Sequence, residues 1–242
     1  MEKMKPGANY ARPTDLRTSY FLFHTFPIPM TTVVSLTQNP VQENTYLVYD
    51  NESKQAIIFD PGAFSTAEER ELVATIDRLG LKPVKLINTH CHFDHVFGNA
   101  FVVKEYGLQL GIHPLEQQIL ESAPQFVQLY GMPPMTPSPA PDYFINEGDT
   151  VTLGDTTFQV LFCPGHSPGS ICFYNEAEKY VIAGDVLFRR SIGRTDLPMG
   201  DHDALIGSIL TKLMPLPDEV VVYPGHGPST TIGEERRENP FF

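Results

Sequence analysis

Thr89-His90-Cys91-His92-Phe93-Asp94-His95 places three histidines and one carboxylate within seven consecutive positions, directly after the apolar run Val84 to Ile87. That run reads as a short buried strand, so the polar cluster sits at the strand's C-terminal end, where the chain turns toward a helix. Side chains alternate along extended backbone, which sets His90 and His92 on the same side. A turn into the helix then swings Asp94 and His95 toward an adjacent position, an arrangement suited to two metal ions close together. Packing such groups side by side without a cation leaves lone pairs and charge unsatisfied.

Three later segments repeat the pattern of a polar residue beside a strand-terminating glycine: Pro164-Gly165-His166, Ala183-Gly184-Asp185 and Pro224-Gly225-His226. Each follows an apolar run, and glycine there permits the sharp turn that aims the next side chain into a cleft at the sheet edge. His24 and His113 have no neighbours of ligand type and read as ordinary polar side chains. His202, between Asp201 and Asp203, stays open.

Around these segments strands and helices alternate, as in an α/β protein. Val33 to Leu36, Thr45 to Tyr49 and Ala56 to Phe59 read as strands, the last closed by the turn Asp60-Pro61-Gly62. Thr66 to Leu79 reads as a helix led in by Ser65 and stopped at Gly80. A helix is expected near Val96 to Tyr106, a strand near Gln109 to Ile112, and a short helix from Pro114. Pro124, Pro133, Pro134, Pro137, Pro139 and Pro141 then mark an irregular loop or lid. In the second half, Thr156 to Phe162, Ser170 to Tyr174, Tyr180 to Ala183 and Glu219 to Tyr223 read as strands, with a helix over Ala204 to Met214. Residues 1–29 lack a clear period and read as an appended arm; 30–242 form the main domain.

The chain of 242 residues carries 17 Lys plus Arg against 29 Asp plus Glu, a net charge of −12. Such a balance disfavours a protein that holds polyanions by bulk attraction, so no nucleic-acid partner is expected. No run reaches the length a membrane helix needs, and no signal peptide opens the chain, so a cytoplasmic protein without a membrane partner is expected. The three cysteines Cys91, Cys163 and Cys172 read as reduced core residues rather than a disulfide framework.

In order and in residue type, these segments resemble the metal motifs of the metallo-β-lactamase superfamily over about residues 30 to 240. The resemblance implies an αββα sandwich, two mixed sheets face to face with helices outside. It also implies that His90, His92 and His166 hold one metal, that Asp94, His95 and His226 hold a second, and that Asp185 bridges them. Two divalent ions, zinc by donor type with iron or manganese also admitted, would lower the pKa of a bridging water to yield hydroxide at neutral pH. Asp94 is the residue expected to orient that water.

Within the superfamily, Thr89 to His95, Pro164 to Ser170 and Gly184 to Phe188 are most similar to the glyoxalase II (hydroxyacylglutathione hydrolase) group. Ser191 to Pro198 and Gly225 to Pro228 are closer to its short bacterial relatives. The implied reaction is hydrolysis of a small-molecule thioester such as S-lactoylglutathione. Full-length glyoxalase II carries a helical domain after the last metal histidine that supplies much of its glutathione recognition. This chain ends soon after His226, so thioester hydrolysis is better supported than glutathione specificity. Arg189, Arg190 and Arg194 are the candidate anchors for a substrate carboxylate. The rival is a persulfide dioxygenase, which shares the fold but uses one iron on the equivalents of His90, His166 and Asp185. The sequence leaves oligomeric state open.

Overall fold

Alternation along the first strands sets the layering. In the computed structural model, which describes residues 30–242, Thr31–Gln38 forms β1, Glu43–Asp50 β2 and Gln55–Phe59 β3. Tyr46, Val48, Ile57 and Phe59 face a core shared with a second sheet, while Leu47, Tyr49, Ala56 and Ile58 face a core shared with helices. A strand buried on both faces can be apolar at every position. Residues 1–29, which the sequence reads as an arm, and His24 among them, lie outside the described residues.

The first sheet runs in the order β1-β2-β3-β4-β5-β6, with Lys82–Ile87 as β4, Leu110–Ile112 as β5 and Tyr143–Phe144 as β6. Its first three strands are antiparallel and the rest parallel. The second sheet contains β7 (Thr150–Leu153), β8 (Thr156–Phe162), β9 (Ile171–Asn175), β10 (Tyr180–Gly184), β13 (Val221–Pro224) and β14 (Thr230–Thr231). Its order is β14-β13-β10-β9-β8-β7, with β10 and β13 its parallel pair. A separate hairpin pairs β11 (Leu187–Phe188) with β12 (Ser191–Ile192).

Helices cover both outer faces. Leu72 and Ile76 of α1 (Thr66–Leu79), Val102 of α3 (Asn99–Tyr106) and Ile119, Leu120 and Val127 of α4 (Gln117–Leu129) pack on the first sheet. Leu205 of α5 (His202–Ser208) and Ile232 of α6 (Ile232–Glu238) pack on the second. Between the sheets, Phe59 lies 4.9 Å from Phe173 and 6.5 Å from Phe158 by ring centroid. All three rings are fully buried, each stabilising the fold by about 1.5–3 kcal/mol. The result is the expected αββα sandwich of two mixed sheets.

Several elements differ from their expected bounds. The helix expected near Val96 to Tyr106 is two: α2 (Phe93–Val96) and then α3, broken where Gly98 N–H donates to Pro61 O at 2.7 Å. Pro124, expected in a loop, lies inside α4. Burial of the Ile119, Leu120, Ala123 and Val127 stripe outweighs the one backbone hydrogen bond that proline removes. The irregular segment therefore starts only after Leu129, and it is tied down by Met135 in the core and by Asn99 Nδ2 donating to Ser138 Oγ at 2.9 Å. The helix expected over Ala204 to Met214 ends at Ser208 and widens, Met214 N–H donating five residues back to Ile209 O. No helix among the described residues is long and apolar enough to cross a membrane.

Candidate metal centre

Loops from both sheets converge at the C-terminal ends of β4, β10 and β13 and at the β8–β9 connection. After β4, Thr89 donates from its N–H and its hydroxyl to the two carboxylate oxygens of Asp60, at 2.7 and 2.6 Å. Asn88 Nδ2 donates to His95 O at 3.1 Å, fixing the far end of α2. The loop carrying His166 is held by α5: Asp201 N–H donates to Gly165 O at 2.7 Å, and Ser208 Oγ donates to Pro164 O at 2.8 Å. Gly165 has φ +134°, and a Cβ there would stand 2.2 Å from Leu205 N, so only glycine lets α5 approach. Asn44 N–H bonds Gly225 O at 2.7 Å, and Asn44 Nδ2 bonds Pro224 O and Gly227 O, anchoring the His226 turn to β2.

The hydrogen-bond partners assign the tautomers. His95 Nδ1 lies 3.1 Å from Asp60 Oδ2, His166 Nδ1 2.8 Å from Arg194 O, and His226 Nδ1 3.2 Å from Gln42 O. His90 Nδ1 lies 3.2 Å from Thr89 Oγ1, whose own proton goes to Asp60. Each Nδ1 therefore carries the proton, and each Nε2 presents a lone pair inward. His92 instead presents Nδ1, 2.8 Å from His166 Nε2.

These inward atoms form two groups. His90 Nε2, His92 Nδ1 and His166 Nε2 make the first, with His90 and His166 3.2 Å apart. Asp94, His95 and His226 make the second, with Asp94 Oδ2 at 3.7 Å from His95 Nε2 and 3.1 Å from His226 Nε2. Asp185 stands between them: Oδ1 is 3.4 Å from His95 Nε2, while Oδ2 is 3.4 Å from His166 Nε2 and 3.6 Å from His226 Nε2. The structure thus brings together all seven residues singled out in the sequence. Asp60, His90 and His95 also cluster, but the oxygens of Asp60 are taken up by Thr89 and His95, which makes it an orienting group.

The donor set fits metal ions. His95 Nε2 and Asp185 Oδ1 are buried, face each other and have no hydrogen-bond partner. Burial, then the neighbouring imidazoles, hold His90 well below the usual histidine range, and burial followed by His166 pushes His92 down to about 3. Burial likewise lowers His166. At His95 burial acts in the same sense, but the carboxylates of Asp185 and Asp94 overcome it and raise the ring well above its ordinary value. Burial would raise Asp185, yet the facing histidines hold it well below the carboxylate range. One end of the site favours neutral nitrogen donors while the other demands positive charge, a combination that a cation satisfies.

Two buried acids were not anticipated. Glu116, fully buried after β5, receives Cys91 N–H at 2.7 Å on one oxygen and Ser167 Oγ–H and Gly169 N–H at 2.5 and 2.6 Å on the other. It clamps the two histidine loops to each other. Glu43, also fully buried, sits 3.8 Å from His95 Nδ1, behind Asp60. Asp60 had a local signal, a turn closing a strand like the other motifs, whereas Glu116 had none. His113 stacks on Phe162 with ring centroids 4.7 Å apart and accepts Leu115 N–H, as an ordinary polar side chain would. His202 opens α5 and lies outside both groups.

The arginines need correction. Arg190 is committed to Glu235 and Glu238, and Arg189 is exposed and does not line the cavity beside the centre. Only Arg194 lines it, with its guanidinium bidentate on Asp196 at 2.7 and 2.8 Å. That cavity has a volume of about 350 Å³, and His92, Asp94, His166, Asp185 and His226 form its floor.

Comparison with known proteins agrees with this geometry. The description "Metallo-beta-lactamase superfamily" matches residues 38–226. The chain is 40% identical to hydroxyacylglutathione hydrolase GloC of Haemophilus influenzae over 202 residues, 83% of this chain and 93% of that one. It is similar to the solved structure of TTHA1623 in a di-iron-bound form, at TM-score 0.78 and 41% identity, over 87% of this chain and 100% of that one. It is also similar to the BLEG-1 B3 metallo-beta-lactamase, at TM-score 0.80 and 39% identity, over 87% and 99% respectively. With seven metal-type side chains converging at the edge of an αββα sandwich, this chain belongs to the metallo-β-lactamase superfamily, whose fold binds divalent metals.

Proposed function

We propose that the protein is a thioester hydrolase of the glyoxalase II type, acting on small-molecule thioesters with two divalent ions, zinc by donor chemistry, with S-lactoylglutathione as the reference substrate. The observation that carries this reading is Asp185, whose two oxygens face the two groups of donors at 3.4 to 3.6 Å. His90, His92 and His166 would hold one ion and Asp94, His95 and His226 the other. When bound, the ions supply Lewis acidity, lowering the pKa of a water toward neutrality and polarising a carbonyl.

The chain's own residues do the rest. Asp60, Arg194 O and Gln42 O hold the protons on the outer nitrogens of His95, His166 and His226, so the inner nitrogens stay free. Asp94, 8% exposed and on the cavity floor, accepts a hydrogen bond from the attacking water and orients it toward the acyl carbon. Attack forms the new C–O bond and breaks the C–S bond, and the water's proton ends on the departing sulfur. Likeness to hydroxyacylglutathione hydrolase GloC supports this chemistry. The three unpaired, buried thiols Cys91, Cys163 and Cys172 suit a reducing compartment such as the cytoplasm.

The test is elemental analysis of protein purified without added metal. The same sample is assayed for S-lactoylglutathione hydrolysis and for oxygen uptake with glutathione persulfide. Two metal ions with hydrolysis are expected. One iron with oxygen uptake would replace the hydrolase by a persulfide dioxygenase.

A further inference from the structure

The cavity that opens over the metal centre is apolar on its walls. Phe93 of α2 and Phe126 and Tyr130 at the end of α4 make one wall, the rings of Phe93 and Tyr130 being 5.2 Å apart. Phe188 of β11, with Leu197 and Pro198, makes another, and the Phe188 ring stands 6.3 Å from that of His226. Above the floor of histidines and aspartates, the single cation on the lining among the described residues is Arg194, and Asp196 already holds one edge of its guanidinium, through Nε and Nη2.

A glutathione moiety brings two carboxylates and an ammonium group. Drawing those carboxylates against aromatic and aliphatic walls strips their water without supplying a partner, which is unfavourable. An aliphatic chain gains from the same walls, by about fourfold in affinity per buried methylene. A volume of about 350 Å³ lies at the small end of the ~300–1,000 Å³ typical of ligand sites, so the gain levels off once the chain has filled it.

We propose that this cavity takes the aliphatic arm of a thioester whose thiol is uncharged, so that the protein selects acyl chain length and not glutathione. The inference rests on the thioester-hydrolase reading, and two separate readouts distinguish the failure of either.

The first readout is binding, by titration calorimetry on the intact metal-loaded protein. The ligands are inert thioethers, S-alkyl-N-acetylcysteamines from methyl to octyl, with S-methyl- and S-hexylglutathione alongside. Affinity should rise about fourfold per methylene and then level off, and S-hexyl-N-acetylcysteamine should bind at least as tightly as S-hexylglutathione. The second is kcat/KM for the matching acyl-N-acetylcysteamine thioesters, which should climb in parallel. Phe126→Ser should flatten both series with metal content and circular dichroism unchanged. Tyr130→Lys should shift preference toward the glutathione ligands. Affinities independent of chain length, or S-methylglutathione binding more tightly than S-hexyl-N-acetylcysteamine, would overturn the cavity's assignment while leaving thioester hydrolysis standing. Chain-length-dependent binding with no thioester hydrolysed would overturn the substrate class through the hydrolase reading, not through the cavity.

Discussion

A Cβ on Gly225 would stand 2.1 Å from Asp185 Oδ1 and 2.7 Å from His95 Cε1, within the space where the two donor groups meet. Gly225→Ala should therefore displace Asp185 or His95 and empty the centre while the sheets stay intact. Elemental analysis beside far-ultraviolet circular dichroism checks this, and retention of two ions per chain would show that the loop yields. Glu116 poses a different test. Its oxygens accept from Cys91 N–H, Ser167 Oγ–H and Gly169 N–H, so Glu116→Gln turns an amide donor toward a backbone donor. A loss of about 1–3 kcal/mol is expected from the urea midpoint, the cost of an unpaired buried group. An unchanged midpoint would remove the clamp. The proposed ligands were legible because each lies in one short run or beside a glycine that ends a strand. Glu116 was not, since its partners are 25 to 53 residues away and two of its three hydrogen bonds go to backbone, which leaves no trace in residue type.

The start of α1 shows how a helix cap reaches the site. Ser65 Oγ accepts Glu68 N–H at 3.3 Å, and Glu68 Oε2 accepts Ser65 N–H at 2.8 Å and Phe64 N–H at 3.0 Å. The other oxygen of Glu68 accepts Asn39 N–H at 2.7 Å, and Asn39 Nδ2 donates to Asp94 O at 3.0 Å. Ser65→Ala should cost about 1 kcal/mol, as loss of a cap does. Glu68→Ala should cost about 2 kcal/mol, because several donors lose their acceptor together. Burial pushes the Glu68 carboxyl up, but the hydrogen bonds from Ser65, Asn39 and Phe64 outweigh it and hold it below its ordinary 4.5. A depressed folded-state value contributes stability that is present above the unfolded value and is lost as pH falls through the folded one. Below pH 4.5 the wild-type denaturation midpoint should thus fall more steeply than that of Glu68→Gln; parallel profiles would mean that Glu68 does not report the cap. Ser65 and Gly80 bounded α1 correctly in the sequence because caps are local chemistry. The reach of α4 past Pro124 depends on the burial of its apolar stripe in the core, and the split between α2 and α3 on the hydrogen bond to Pro61 O, neither of which a local pattern displays.

Across the whole molecule the candidate ligands divide between the two halves. His90, His92, Asp94 and His95 follow β4 of the first sheet, whereas His166, Asp185 and His226 belong to loops of the second. Metal ions at this edge would tie the two sheets together beside the aromatic seam of Phe59, Phe158 and Phe173. Hydrogen bonds already cross there, among them Ile171 N–H to Thr89 O at 3.0 Å and Asn44 N–H to Gly225 O at 2.7 Å, and the ions would add to them. A ligand that binds only the folded chain stabilises it by about 4 kcal/mol at a thousandfold excess over its Kd. For a domain of this size each kcal/mol moves Tm by about 2–4 °C. Chelator-treated protein should therefore melt about 8–16 °C below the metal-loaded form by calorimetry, with the difference abolished in Gly225→Ala. A loaded wild type melting no higher than its chelated form would mean that the two sheets are already fixed without the ions. The buried His95 Nε2 and Asp185 Oδ1, which face each other without a hydrogen-bond partner, argue for the larger shift, because removing the ions leaves both atoms away from water.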